Sequence, residues 1–109
     1  MKSYLGEFEE IVLLLVAAQH DRAYGLSIAK TIETKLDRPV TLSSVHTALY
    51  RMEEKGLVKS SVGGATDKRG GRRKRFFTIT ALGKSILRES RECRNTLWNM
   101  IPKLIIDTP

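Results

Sequence analysis

The sequence predicts a mainly α fold that carries one small β-hairpin and a long C-terminal helix. Two observations predict it. Apolar residues recur at i, i+3, i+4 and i+7 in successive segments up to Met52, and the period changes to alternation between Leu57 and Thr80 before a helical rhythm returns. A chain of 109 residues suits one domain with one extension. The expected division is 1–80 for the compact unit and 81–109 for the extension.

The first helix is expected from about Gly6 to Gln19, with Phe8, Ile11, Val12 and Leu15 inward and Val16 and Ala17 widening the stripe. His20-Asp21-Arg22 breaks it. Tyr24-Gly25 opens a second helix whose face is Ile28, Ala29, Ile32 and Leu36, and Pro39 stops that helix near Asp37. Val40-Thr41-Leu42 reads as an extended connection or a one-ladder strand. A third helix begins at Ser43 or Ser44, because a serine hydroxyl can accept a bond from an orphan N–H of the first turn. Its inner face is Val45, Ala48, Leu49 and Met52, and Gly56 ends it. Leu57–Val62 and Arg75–Thr80 read as paired strands around a glycine-rich turn. Thr80 caps a helix to about Ile101, along which Ile86, Ser90, Cys93, Leu97, Met100 and Leu104 alternate at spacings of four and three, the rhythm of a helix–helix seam. Pro102 interrupts it.

Composition narrows the function. Lys and Arg number 19 against 12 Asp and Glu, a net charge of +7, which favours a polyanionic partner. The longest uncharged apolar run, Ile11–Ala18, is too short for a bilayer that needs roughly 20 residues. Glu7, Glu9 and Glu10 stand where an export signal would be basic and then apolar, so a cytoplasmic setting is expected. These three acids face no nucleophile or base in sequence and read as an exposed complement to the first helix's dipole. Cys93 is the single cysteine, and His20 and His46 stand apart from it and from each other, so no disulfide, metal site or cofactor is expected. No phosphate loop or nucleophile elbow occurs, and the chain does not read as an enzyme.

Charge is concentrated. Residues 67–75, DKRGGRRKR, hold six Lys or Arg and one Asp, and so most of the excess. Glycines let a backbone approach a phosphate chain closely, and guanidinium forks match phosphate oxygens. Helix, short turn, helix and basic hairpin in this order is a winged helix-turn-helix arrangement. The third helix would enter a major groove, and the hairpin would reach an adjacent minor groove or the backbone. The expected wing contacts are Lys68, Arg69, Gly70, Gly71, Arg72, Arg73 and Lys74. On the third helix Ser44, Thr47, Tyr50, Arg51 and Lys55 point outward, and the first four are the expected readout set; Arg51 could instead pair with Glu54, and Lys55 with Glu53.

The stretches LGEFEEIVLLLV at 5–16, AYG at 23–25, LYRMEEKGLV at 49–58 and RGGRRKRFFTIT at 69–80, followed by Gly83, resemble the PadR family of bacterial transcriptional regulators. The resemblance implies a winged helix domain, a C-terminal helix that makes a homodimer, and repression at a double-stranded DNA operator with release by a small-molecule effector or other signal. It offers Trp98 as a candidate effector contact, against the plainer reading of a tryptophan that only packs in the core or the interface. Two departures stand out: His46 lies where many relatives carry Tyr, and Ser43-Ser44 where Gly is frequent.

A homodimer also follows from the residues. A long helix on a unit of some 80 residues cannot bury Ile86, Leu97, Trp98, Met100, Ile101, Leu104, Ile105 and Ile106 in cis, and monomers rarely leave such a patch open. A second copy covers it and presents two reading helices to a palindromic site. Phe8, Ile86, Cys93, Leu97, Met100 and Leu104 are the expected dimer contacts, with Ile11 beside Phe8 and Cys93 packing as a small hydrophobe. Two competing readings are a winged-helix module whose hairpin docks an acidic protein, and a non-specific binder of nucleic acid or anionic membrane.

Overall fold

The computed structural model describes residues 5–63 and 74–109. Helix α1 (Glu7–Gln19) leads through a 3-10 turn (His20–Arg22) into α2 (Gly25–Leu36) and α3 (Leu42–Glu54); strands β1 (Val58–Val62) and β2 (Arg75–Ile79) follow, then α4 (Ala81–Met100) and the short α5 (Lys103–Asp107). The strands pair antiparallel, with Val58 opposite Ile79, Ser60 opposite Phe77 and Val62 opposite Arg75. The expected helix order, the hairpin and the long last helix are all present.

The core lies where α1, α2 and α3 meet the root of the hairpin. Val12, Leu13 and Val16 of α1, Ile28, Ala29 and Ile32 of α2, Val45, Ala48, Leu49 and Met52 of α3, and Leu57, Val58 and Phe77 from the hairpin are buried together. Phe77 joins three of these parts. Its N–H donates to the Ala23 carbonyl at 2.8 Å, making an isolated bridge outside β2, and its ring lies 6.1 Å from that of Tyr50 on α3.

Several expectations need correction. In α1 the buried line runs through Leu13, which the periodic reading left out, while Phe8, Ile11 and Leu15 are half-buried and Ala17 is exposed. Ile11–Val16 is apolar on every side, so spacing alone could not select the inner face. Leu36 is 49% exposed, because Asp37 turns left-handed (φ 50°) directly after it and the chain departs from the core. Of the two readings of Val40–Leu42, the extended connection holds at Val40 and Thr41 and no strand forms. Thr41 is the N-cap of α3, accepting from the Ser44 N–H at 3.0 Å, so α3 starts at Leu42 and neither serine caps it. Ile86 is buried rather than part of an open seam, since the first turns of α4 lie on the hairpin root.

The acids of α1 are not a bare solvated face. Glu7 pairs with Arg38 at 3.1 Å, Glu9 with Lys55 at the end of α3 at 3.2 Å, and Glu10 with Arg94 at 3.1 Å while accepting from the Ser90 hydroxyl at 3.0 Å. Each acid ties α1 to a different element. Individually such partly exposed pairs contribute below about 1 kcal/mol, so their effect is to fix orientation on a packed core.

Thr80 caps α4 as expected, accepting from the Gly83 N–H at 3.1 Å, and its own hydroxyl donates to the Gly56 carbonyl. Beyond Ser90 every residue of α4 and α5 is exposed. The radius of gyration is 16.6 Å, where about 13 Å would suit a compact chain of this length, and the excess reflects this projecting arm. Pro102 separates α4 from α5, and Ile101 ends the longer helix in extended backbone.

Close approach requires glycine at Gly25 and Gly83, among others. A side chain at Gly83 would strike the Leu57 carbonyl and the Ile79 side chain, and one at Gly25 would strike the His46 imidazole. Gly83→Ala is therefore expected to lower stability by about 1–3 kcal/mol, read as a reduced midpoint in urea at unchanged slope. Gly25→Ala should also destabilise, but His46→Ala in the same chain should recover much of the loss, since the obstacle is that side chain; a double-mutant cycle by thermal unfolding measures the coupling.

Candidate nucleic-acid interface

With its Val45–Ala48–Leu49–Met52 stripe buried, α3 turns a polar face outward. At 3.6 residues per turn, Ser43, Thr47, Tyr50 and Glu54 lie opposite that stripe, and all four are exposed. Thr47 and Tyr50 were expected there. Ser43 and Glu54 complete the face; they become visible once the helix start is fixed at Leu42 rather than at a serine.

Ser44 and Arg51 lie on one flank. Together with Thr47 and Lys55 they line an open groove whose other wall is Gly6–Glu9 of α1. Lys55 reaches across this groove to Glu9 instead of pairing with Glu53. Glu53 accepts from the Ser60 hydroxyl at 2.6 Å, and Ser60 accepts from Arg75 at 3.0 Å, so that acid belongs to the hairpin side. Phe8 sits at the head of the same region with the Arg38 guanidinium 5.7 Å above its ring.

The other flank meets the hairpin. The His46 ring is half-buried between Gly25 and Tyr50, 6.0 Å from the tyrosine ring, and Tyr50 in turn leans on Phe77. Next to it, Tyr24 caps α2: its N–H donates to the Ser27 hydroxyl at 3.0 Å, and that hydroxyl also lies within hydrogen-bond distance of the Tyr24 carbonyl (2.9 Å) and the Gln19 side-chain oxygen (2.6 Å). The Tyr24 ring receives Phe76 edge-on at 5.7 Å and carries the Lys74 ammonium 4.5 Å above it. The Gly63 N–H donates to the Lys74 carbonyl at 2.6 Å and closes the hairpin stem.

Of the expected wing contacts, Lys74 alone lies within the described residues; Lys68, Arg69, Gly70, Gly71, Arg72 and Arg73 lie outside them. On the projecting arm, Leu97 is 59%, Trp98 61%, Met100 71% and Leu104 76% exposed, and Cys93 is exposed beside them. Ile86 is not with them. Among the described residues no group of three or more His, Cys, Asp or Glu could hold a metal ion, and no helix is long and apolar enough to cross a membrane.

Comparison with known proteins agrees with this architecture. A protein of Lysinibacillus sphaericus, itself uncharacterized, is 30% identical over 86 residues, covering 77% of this chain and 74% of its own. A PadR-like transcriptional regulator of Bacillus cereus superposes with a TM-score of 0.72 at 17% identity, over 94% of this chain and 93% of that one. Bacillus subtilis PadR, solved in complex with operator DNA, superposes with a TM-score of 0.64 at 18% identity over 75% of this chain and 45% of its own. The model of the transcriptional regulator PadR-like family matches residues 12–89, a span that runs from the buried half of α1 through all of α2, α3 and the hairpin to the first turns of α4; the chain belongs to that family of regulators, not to the enzymes.

Proposed function

We propose that the protein is a cytoplasmic, homodimeric, sequence-specific DNA-binding repressor that reads a palindromic operator. The observation that carries this reading is the exposed polar face of α3, held on a fully buried stripe and flanked by a hairpin that leads into the cation-rich segment 67–75. Ser44, Thr47, Tyr50 and Arg51 supply groove contacts. Lys68, Arg69, Arg72, Arg73 and Lys74 neutralise phosphates, with Gly70 and Gly71 admitting the backbone. The operator complex of the Bacillus subtilis relative supports the DNA-binding part.

The dimer belongs to the same reading. Leu97, Met100 and Leu104 on the arm beyond Ser90 leave an apolar surface that a second copy covers, with Cys93 on the seam and Phe8 offered from α1. Residues 81–109 thus serve association and 1–80 serve DNA. Ile86 contributes by holding α4 to the core, not by contact across the dimer. A second copy would also enclose Trp98, which makes it the candidate contact for a flat effector that releases the operator.

Footprinting of duplex fragments from around the gene, at roughly 0.15 M salt, tests the reading. A discrete two-fold footprint is expected; uniform retention would indicate a non-specific binder, and no binding a protein-docking module. If about four cations neutralise phosphates, log affinity should fall with log salt at a slope near −3.6. Arg72→Ala with Arg73→Ala should weaken binding to operator and random duplex alike and reduce that slope to about −1.8. Met100→Asp with Leu104→Asp should convert the dimer to a monomer in light scattering, with α-helical circular dichroism largely retained.

A further inference from the structure

Tyr24 lies outside the α3 face, yet it stands between His46 of that helix and Lys74 at the start of β2. Its backbone is pinned by Ser27 and by the neighbouring Ala23–Phe77 bridge. Its ring sits at the outer end of the hairpin stem, against Phe76 and Lys74 at the start of β2. Lys74 is exposed and would ordinarily sample many rotamers in water. Here its ammonium rests 4.5 Å from the Tyr24 ring centroid and 3.4 Å from the phenol oxygen.

The chemistry of this pair is specific. The ring face attracts the cation through its quadrupole. The ammonium donates one N–H to the phenol oxygen, which leaves two N–H donors on Lys74. With that lone pair engaged, the phenol proton is free to donate outward. Two ammonium donors and one hydroxyl donor therefore gather on one point with a net positive charge. That set suits the paired non-bridging oxygens of a phosphodiester.

We infer that Tyr24 and Lys74 form a composite clamp on one backbone phosphate of duplex DNA, with Tyr24 acting as the residue that positions Lys74. The inference rests on the proposed DNA-binding function and deepens it. The clamp fixes where the basic turn leaves the protein relative to α3, because Tyr24 is joined to that helix through Gly25 and His46. A phosphate held here sets the register in which Thr47 and Tyr50 meet base edges.

The test is a double-mutant cycle on the full-length protein with duplex DNA, measured across a salt series and accompanied by thermal unfolding. Lys74→Ala should reduce the magnitude of the salt slope by about 0.9, the loss of one phosphate contact. Tyr24→Leu should weaken binding three- to tenfold in the wild-type background and by much less once Lys74 is Ala. Tyr24→Phe, which keeps the ring under the ammonium, should retain the full slope while losing part of the affinity. Additive effects of Tyr24→Leu and Lys74→Ala, or an unchanged salt slope in Lys74→Ala, would overturn the clamp. If Tyr24→Leu lowers the thermal midpoint, Tyr24→Phe and Lys74→Ala still decide the matter, since neither removes a buried group. Failure of the unmodified protein to bind any duplex would instead defeat the DNA-binding reading as a whole.

Discussion

The seating of Phe77 is the contact on which the rest of this architecture depends. A two-stranded hairpin is marginal in water without further packing. Here its second strand is anchored at one buried aromatic, whose amide hydrogen-bonds to Ala23 and whose ring lies against Tyr50. Removing a buried phenylalanine side chain typically costs about 3–5 kcal/mol, a large part of the stability of so small a domain. More is at stake than stability. The same residue holds the hairpin against α3, so the surface that would face a duplex is built from two elements with a common foundation.

Around that foundation, α1 acts as the frame. Val12, Leu13 and Val16 are fully buried, while Glu7, Glu9 and Glu10 point to the α2–α3 connection, the end of α3 and the middle of α4. A displacement of α4 would thus reach the end of α3 through α1. This is a coupling of geometry and not of strong bonds, because each ion pair is individually weak in water.

Much of the fold was legible in the residues. The i, i+3, i+4, i+7 set Val45–Ala48–Leu49–Met52 is buried throughout, and the shift to alternation after Gly56 marks the hairpin to within one residue at each strand end. What the chain did not disclose follows a pattern. Thr41 and Ser43 are equally able to cap, and only the backbone path after Pro39 decides between them. The run Ile11–Val16 offers no polar side to exclude, which hid Leu13. Glu9 and Lys55 are 46 residues apart, and Tyr24 and Lys74 are 50 apart, so their pairing is a product of tertiary folding that no local pattern encodes. On the outward face of α3, periodicity led to Thr47 and Tyr50 but not to Ser43 and Glu54, and Tyr24 looked like a turn residue and nothing more.

In the proposed function, α3 and the outer end of the hairpin stem act as one surface on duplex DNA. The most direct measurement is a nitrogen-15 amide titration of the protein with an operator duplex. Resonances of Ser43, Ser44, Thr47, Tyr50 and Arg51 should move together with those of Tyr24 and Lys74, saturating at one molar ratio, while those of α5 stay in place. Movement confined to the hairpin with the α3 resonances silent would contradict it.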